Sequence, residues 1–434
     1  VPSYFYSVPK RIGEKDLEYL RKEGVFSLPG TRLRNQLLKA YIDYVHGYIP
    51  VLGLNDFLSI IHSEDTGGKK LSLLLFNAVM FAGSTCIKLK CLQEAGFATR
   101  KQARRHFWQK TRLLYDFDYE SDQICLIQSL LLMTFWYESS SQSKGARYWL
   151  SIAVDLTLTI GLNNNSVLQK MHPKQQKLCR RIWWSCFTRD KLVALGARQP
   201  AFIGQDYNVP ALILEDFEIR DLSECMPAIS EGCIAAHDPH VQKQVAVLFI
   251  VKVELCVCIS NILDARYRNS NMPVHRGSIR QNQTTIITQT FIDGHERYDV
   301  ELGSWLLNLP PAATYHLPME LSDCSETVVV HLSLLHMLYH STISTLHRPW
   351  ETHSSRSKVR SAAHSITGIL ENLHCLGLVC CVPIMSLTFI ASALTIHLVD
   401  QNSSDEEIRY SAMEGFAKYM RIVRELCDEQ GAED

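Results

Sequence analysis

Apolar residues recur along this chain at spacings of three and four, the period of a helix face. Leu33, Leu37, Leu38, Tyr41 and Val45 form one stripe, which Gly47 and Pro50 end. Between Lys144 and Leu162, a second stripe carries Trp149, Ala153, Leu156 and Ile160. Gly161 then stands where a helix C-terminus favours a left-handed residue. A third helix is predicted from Pro173, a residue suited to the first helical turn. It places Leu178, Ile182 and Cys186 on one stripe, with Trp183 and Phe187 on the next. Lys174, Lys177, Arg180 and Arg181 fall on its remaining face. Adjacent Trp183 and Trp184 cannot point the same way on a helix, so this helix is expected to be contacted on several sides. It is the expected central strut.

The same periodicity predicts helices over Asp16–Glu23, Thr99–Leu114, Ile286–Leu309, Ser325–His347, Lys358–Leu376, Pro383–Val399 and Asp405–Glu429, and a long one running to about Asn269. Strand-like alternation of useful length is absent, as is any repeat of fixed period. The expected fold class is therefore all-α, a large multi-helix domain. Residues 1–30 read as an approach segment, with prolines at 2, 9 and 29. Residues 31–275 and 276–434 read as two halves of one helical unit. Three apolar runs, Leu71–Ile87, Val245–Leu263 and Leu378–Val399, approach the length of a membrane span. Asn77, the Lys252 and Glu254 pair, and Pro383 with His397 interrupt them, so they read as buried helices and no membrane partner is expected.

Composition narrows the classes further. Of 434 residues, 21 % are charged and 46 % apolar, which is ordinary for a globular protein. A net charge of −1 argues against a module that grips nucleic acid with its whole surface. The 14 cysteines include no C-x-x-C, and most lie in apolar helical runs, so buried reduced thiols in an intracellular protein are expected.

Several motifs invite a chemical reading. Thr99–Leu114 carries Arg100, Lys101, Arg104, Arg105, Lys110 and Arg112. It is either a surface for an acidic or phosphate-bearing partner or a solvated face paired with acidic neighbours, and the second is preferred. The acidic run Tyr115–Asp122 lacks the glycine and the final glutamate of a calcium loop, having Ser121 and Ile127 there. It reads as a loop with Asp122 as the N-cap of the next helix. Gly67-Gly68-Lys69-Lys70 lacks the earlier glycine and the Ser/Thr of a phosphate loop. His336 and His340, four apart on a helix with His331 and His347 nearby, are weak candidates for a shared metal. Met337, not glutamate, follows the first, so packing histidines are preferred and no metal or other cofactor is expected in this chain. Neither a nucleophile elbow nor a dinucleotide glycine motif is found. No catalytic residue is assigned and an enzyme is not expected; an all-α lyase or metalloenzyme stays as the outside alternative. Asp190, between Phe187 and Val193, is costly to bury unpaired. It is expected to bond a backbone group or an arginine, such as Arg198.

These residues also carry a resemblance. G-A-R-Y-W with L-T-I-G-L, then R-R-I-W-W with R-D-K, then G-A-R-Q-P-A-F-I, resemble in sequence and spacing the middle homology region of the fungal binuclear zinc-cluster transcription factors. LRNQLLKAYIDYVHGYIPVLGLNDFL upstream and LLHMLYHSTISTLHRPW downstream are similar to the cutinase transcription factor branch. The resemblance marks Gly145, Arg147, Gly161, Leu162, Arg181, Trp183, Trp184, Asp190, Pro200, Arg348 and Pro349 as the family's structural residues. Gln199 departs from the Gly-Arg-Pro usual at that loop. The resemblance implies the regulatory region of a nuclear transcription factor acting on RNA polymerase II transcription, responsive to a metabolite and controlling lipid, cutin or secondary-metabolite genes. It implies coregulator partners, a homodimer and a small apolar ligand held between helices. The six-cysteine cluster is absent from this chain, which opens at Val1 without methionine. Zinc and DNA contact are accordingly expected only in a cluster upstream. The alternative is a cluster-less interaction protein or corepressor pairing with full-length factors.

Overall fold

Helix follows helix through the computed structural model, which describes residues 2–62, 68–137, 144–230, 232–268, 280–322, 324–348, 352–383 and 386–430. Among these residues, extended pairing is limited to isolated bridges, Phe5 with Leu71 and Asn164 with Asn208. In the first part lie α1 (Glu14–Lys22), α2 (Thr31–Ala40), α3 (Leu54–His62), α4 (Leu73–Ser84), α5 (Leu89–Glu94), α6 (Arg100–Asp116) and α7 (Gln123–Met133). The middle holds α8 (Ala146–Thr159), α9 (Asn165–Leu168) and the strut α10 (Pro173–Ala197). Beyond an irregular stretch come α11 (Pro227–Ser230), α12 (Ile234–His237), α13 (Pro239–Leu263), α14 (Arg280–Leu307), α15 (Glu326–His347), α16 (His353–Cys375), α17 (Leu387–Asp400) and α18 (Glu406–Gln430).

Local chemistry starts and stops these helices. Asp122 accepts the Cys125 N–H at 2.8 Å and opens α7, as its place in the acidic run predicts. Ser72, Thr99, Ser325 and Thr352 cap α4, α6, α15 and α16 in the same way. At the end of α8, Gly161 adopts φ +75°. Its N–H donates to Leu158 and that of Leu162 to Thr157, a Schellman closure that seats Leu162 in the core. The predicted helix at Pro383 begins only at Leu387, and the apolar run from Leu71 breaks at Ser84. There the Ser84 and Thr85 hydroxyls turn back onto the carbonyls of Phe81 and Ala82, both at 2.6 Å.

Packing passes from helix to helix through one contiguous apolar core. α4, every residue of which is buried, lies among α2, α6 and α7. α7 and α8 bridge to α10, α10 packs on α13, and α13 on α15, against which α16 and then α17 and α18 are laid. The 25-residue α10 is buried on all sides from Arg181 to Leu195, the strut that its paired tryptophans predict. α13 is long and apolar enough to cross a membrane by length and composition, yet 72 % of its apolar window is buried inside the protein. The first 30 residues, expected as an approach segment, are packed: Phe5, Ile12, Leu20 and Val25 are buried, and Phe5 meets the Phe76 ring edge-on at 5.3 Å. The boundary expected near residue 275 lies outside the described residues.

The basic helix α6 corrects its own reading. Arg100, Arg104 and Lys110 are buried, donating to the carbonyls of Cys380 (3.1 Å), Tyr137 (3.2 Å) and Ser27 (2.7 Å). Lys101, Arg105 and Arg112 remain outside, and Arg112 pairs with Asp116 at 3.2 Å. Half of the charge therefore ties segments together instead of facing solvent or a partner.

Two positions test this packing. A Cβ on Gly83 would lie 2.2 Å from the Leu37 carbonyl oxygen, where α4 crosses α2. Gly83→Ala is expected to cost about 1–3 kcal/mol in chemical denaturation. Gly303→Ala, in open space on α14, is expected to be neutral or to stabilise by up to about 1 kcal/mol. Lys252 is buried beneath the Tyr48 ring, 3.8 Å from its centroid, and burial pushes its pKa down to about 7. The unfolded chain then holds a proton that the folded state has lost, so this group makes stability rise with pH above about 7. Between pH 7 and 9, wild-type stability should rise relative to that of Lys252→Met; parallel curves would contradict the assignment.

Candidate functional site

Two features converge on α10. The first is a buried charge cluster. Arg189, Asp190 and Lys191 follow one another on the helix, and all three are buried. Arg189 turns toward the end of α7, donating to the Thr134 hydroxyl at 2.8 Å and to its carbonyl at 2.7 Å. Asp190 accepts the backbone N–H groups of Phe202 and Ile203, each at 2.9 Å, and lies 3.2 Å from the Lys191 ammonium. Lys191 in turn donates to the Ile203 carbonyl. Of the two partners expected for Asp190, a backbone group or an arginine, the backbone provides the bonds, and the charged partner is Lys191 and not Arg198. Arg198 instead occupies the left-handed position, φ +53°, that closes α10. Arg147 of α8 donates to the Pro200 carbonyl at 3.0 Å, its guanidinium 4.2 Å from the Phe202 ring centroid. The G-A-R-Q-P-A-F-I loop is thus held from both sides.

The second feature is a cavity. Directly after α2, residues Tyr41–His46 take one π-helical turn. Such turns fit one extra residue into the helical turn, widening and underwinding it locally, and are frequent at functional sites. Between this turn, α10, residues 217–222 and the start of α13 lies a cavity of about 60 Å³. Ile42, Leu52, Leu54, Phe217 and Val245 supply apolar wall; Arg181, His46 and Glu218 supply polar lining. Arg181 is 2 % exposed and donates to the Leu52 carbonyl at 3.0 Å, but its Nε has no hydrogen-bond partner. His46 Nδ1 and Glu218 Oε2 also have none. Burial pulls the Arg181 pKa down, while the carboxylates of Glu218 and Asp216 oppose that. Burial, reinforced by the Arg181 charge, holds His46 well below the usual imidazole range, so its ring is neutral and Nδ1 can either donate or accept. Neighbouring Asp216 is already paired with Arg180 at 2.8 Å.

The expectation of a small apolar ligand between helices named no place, and this cavity is one location between helices where it could be tested. A water needs roughly 10–15 Å³ of such space, so the cavity is large enough to be occupied, and it is partly open to solvent. Its wall is mainly apolar, with Arg181, His46 and Glu218 among the residues that line it.

The other motif residues are structural in the contacts they make. Gly145 stands before α8 in extended conformation, and Trp183 is enclosed with its ring 5.7 Å from that of Tyr207. Trp184 donates to the Pro210 carbonyl at 2.9 Å. Arg348 closes α15, and Pro349 lies outside the described residues. His336 spends its Nε2 on the Ala313 carbonyl at 2.9 Å, and His340 meets the Tyr339 ring edge-on at 5.3 Å. Burial lowers the pKa of both, that of His340 to about 4. Among the described residues, no group of three or more His, Cys, Asp or Glu side chains could hold a metal ion. Among the described residues, cysteines such as Cys86 form no disulfide, and burial raises the Cys86 thiol to about 11. His46 and Glu218 were not singled out by spacing or motif, since each comes to Arg181 from a different segment of the chain.

Residues 38–287 match the model of the fungal specific transcription factor domain. The chain is 39 % identical to cutinase transcription factor 1 beta of Fusarium vanettenii, over 100 % of this chain and 52 % of that protein. It is 32 % identical to a transcription factor of Fusarium pseudograminearum, over 98 % of this chain and 50 % of that one. To transcription factor cpaR of Aspergillus oryzae it is 30 % identical, over 93 % of this chain and 70 % of that one. The chain therefore spans about half the length of the two Fusarium relatives. No solved structure matches it.

Asp190 and Lys191 predict a measurable coupling. Asp190→Asn leaves a buried ammonium without its counter-charge and should cost about 3–5 kcal/mol in denaturant unfolding. Adding Lys191→Met should recover part of that loss. Strictly additive losses would contradict the pairing.

Proposed function

We propose, from the premise that this chain belongs to the fungal specific transcription factor domain family, that it is the regulatory region of a nuclear, metabolite-responsive transcription factor. Its relatives are transcription factors and not enzymes. In this reading, sequence recognition and zinc belong to a cluster outside the chain, and the helical body restrains or licenses activation. The observation that carries the reading is the inward turn of α6: the most basic helix spends Arg100, Arg104 and Lys110 on backbone carbonyls. A phosphate-binding face would need those charges outside. The name of the Fusarium vanettenii relative supports cutinase genes among the targets. Coregulators and a second copy of the chain are the partners proposed.

Regulation by a metabolite requires two states and a ligand that prefers one. The cavity beside Arg181 is where this reading places that ligand. Its walls come from the π-helical turn, residues 47–54, α10, residues 217–222, α12 and α13, so an occupant would tie these segments together.

Tethering tests the regulatory role. Residues 1–434, fused to an unrelated DNA-binding domain in a filamentous fungus, should change a reporter carrying that domain's sites several-fold relative to the domain alone. The same residues without the fusion should leave the reporter unchanged. A fusion indistinguishable from the bare domain would overturn the reading.

A further inference from the structure

Two thiols on one short turn have no part in the function proposed above. Between α16 and α17 the chain makes a 3₁₀ turn, Val379–Cys381, in which the Cys381 N–H donates to the Leu378 carbonyl at 3.0 Å. The turn carries adjacent cysteines whose sulfurs are in contact, with Cys380 Sγ 3.8 Å from Cys381 Sγ. Adjacency in sequence does not by itself give that contact, since neighbours on extended backbone point to opposite faces. We propose that Cys380 and Cys381 form a redox-modification site, oxidised by a hydroperoxide to a vicinal disulfide and restored by a dithiol reductant. The inference stands apart from the ligand-responsive reading.

Exposure divides the roles. Cys380 is partly exposed and Cys381 is buried, so an oxidant in solution reaches Cys380 first. Hydrogen peroxide converts the Cys380 thiol to a sulfenic acid, and one water leaves. Cys381 Sγ then attacks that sulfur. The S–S bond forms, the S–O bond breaks, and the Cys381 proton departs with the hydroxyl as a second water. Two thiols have lost two electrons, and one peroxide has gained them. Contact between the sulfurs lets Cys381 resolve the sulfenic acid without recruiting another segment of the chain. The neighbouring Cys380 sulfur and burial hold the Cys381 thiol well above the usual thiol range, which makes it the poorer first nucleophile.

Backbone geometry makes the product reversible. A disulfide prefers its Cα atoms about 4.4–6.8 Å apart, whereas a trans peptide holds neighbours at about 3.8 Å. The ring closed by adjacent cysteines is therefore strained, and strained disulfides are the readily reduced ones. Strain also reaches beyond the turn. Closing the ring rotates the peptide between Cys380 and Cys381, and the carbonyl of that peptide accepts from Arg100 of α6 at 3.1 Å. The same turn packs against α16 and α18. Oxidation thus loosens the tie between α6 and the C-terminal helices.

The experiment treats the reduced 434-residue chain with hydrogen peroxide, at an excess that oxidises exposed Cys375, and then alkylates it under denaturing conditions. Mass spectrometry should find the peptide with Cys380 and Cys381 unalkylated at this pair and two hydrogens lighter than the dithiol. Dithiothreitol should return both thiols. Cys381→Ser should abolish the disulfide and leave a Cys380 sulfenic acid that dimedone traps. Cys380→Ser should leave Cys381 alkylatable, and it carries the test if Cys381→Ser does not fold. Cys375→Ser should leave the disulfide in place. The oxidised chain should also melt below the reduced one and recover with dithiothreitol; equal melting temperatures overturn the coupling to α6. Two alkylatable thiols at this pair after peroxide overturn the site. So does a disulfide that joins Cys380 to Cys86, to Cys375 or to a second chain.

Discussion

A carboxylate with no access to water holds the middle of this domain together. Removing Asp190 from solvent is expensive, and only a complete set of partners makes it tolerable. Two backbone N–H groups and the Lys191 ammonium provide that set, at 2.9, 2.9 and 3.2 Å. Because the N–H groups belong to Phe202 and Ile203, satisfying the charge also dictates where the chain goes after α10. Arg147 then closes on Pro200 and Phe202 from α8, and Arg189 reaches back to Thr134 at the end of α7. One short run of charged residues thereby fixes α10 against two earlier helices and against its own continuation.

The same helix carries Arg181, nine residues earlier and about 13 Å along the axis. Its surroundings are opposite in character: the guanidinium is buried but incompletely satisfied, beside a π-helical turn and a mainly apolar cavity. A well-bonded half and an under-bonded half thus share a single strut. The far end of this strut is anchored to α7, α8 and the following loop.

Much of this was legible in the residues. The tryptophan pair announced a helix contacted on several sides, Gly161 the end of α8, and Asp122 and Ser325 the starts of α7 and α15. Asp190 announced itself as a charge needing partners, although its neighbour Lys191 and not Arg198 answers it. What stayed hidden has physical reasons. A basic helix reads alike whether its arginines meet water or carbonyls, because carbonyls leave no trace in side-chain identity; α6 was misread for that cause. The π-helical turn leaves the stripe Leu37, Leu38, Tyr41 and Val45 intact, so periodicity does not reveal it. Glu218 and His46 reach Arg181 only through the tertiary fold, and no spacing rule links them.

The anchoring role of Asp190 is tested most directly by amide hydrogen exchange at Phe202 and Ile203. These residues lie in an irregular loop, where backbone N–H groups ordinarily exchange with local fluctuation. If their bonds to the buried carboxylate hold the middle of the domain, both amides should exchange as slowly as those of α10 itself, opening only with global unfolding. Exchange at the rate of the surrounding loop would show that the chain is positioned by something other than Asp190.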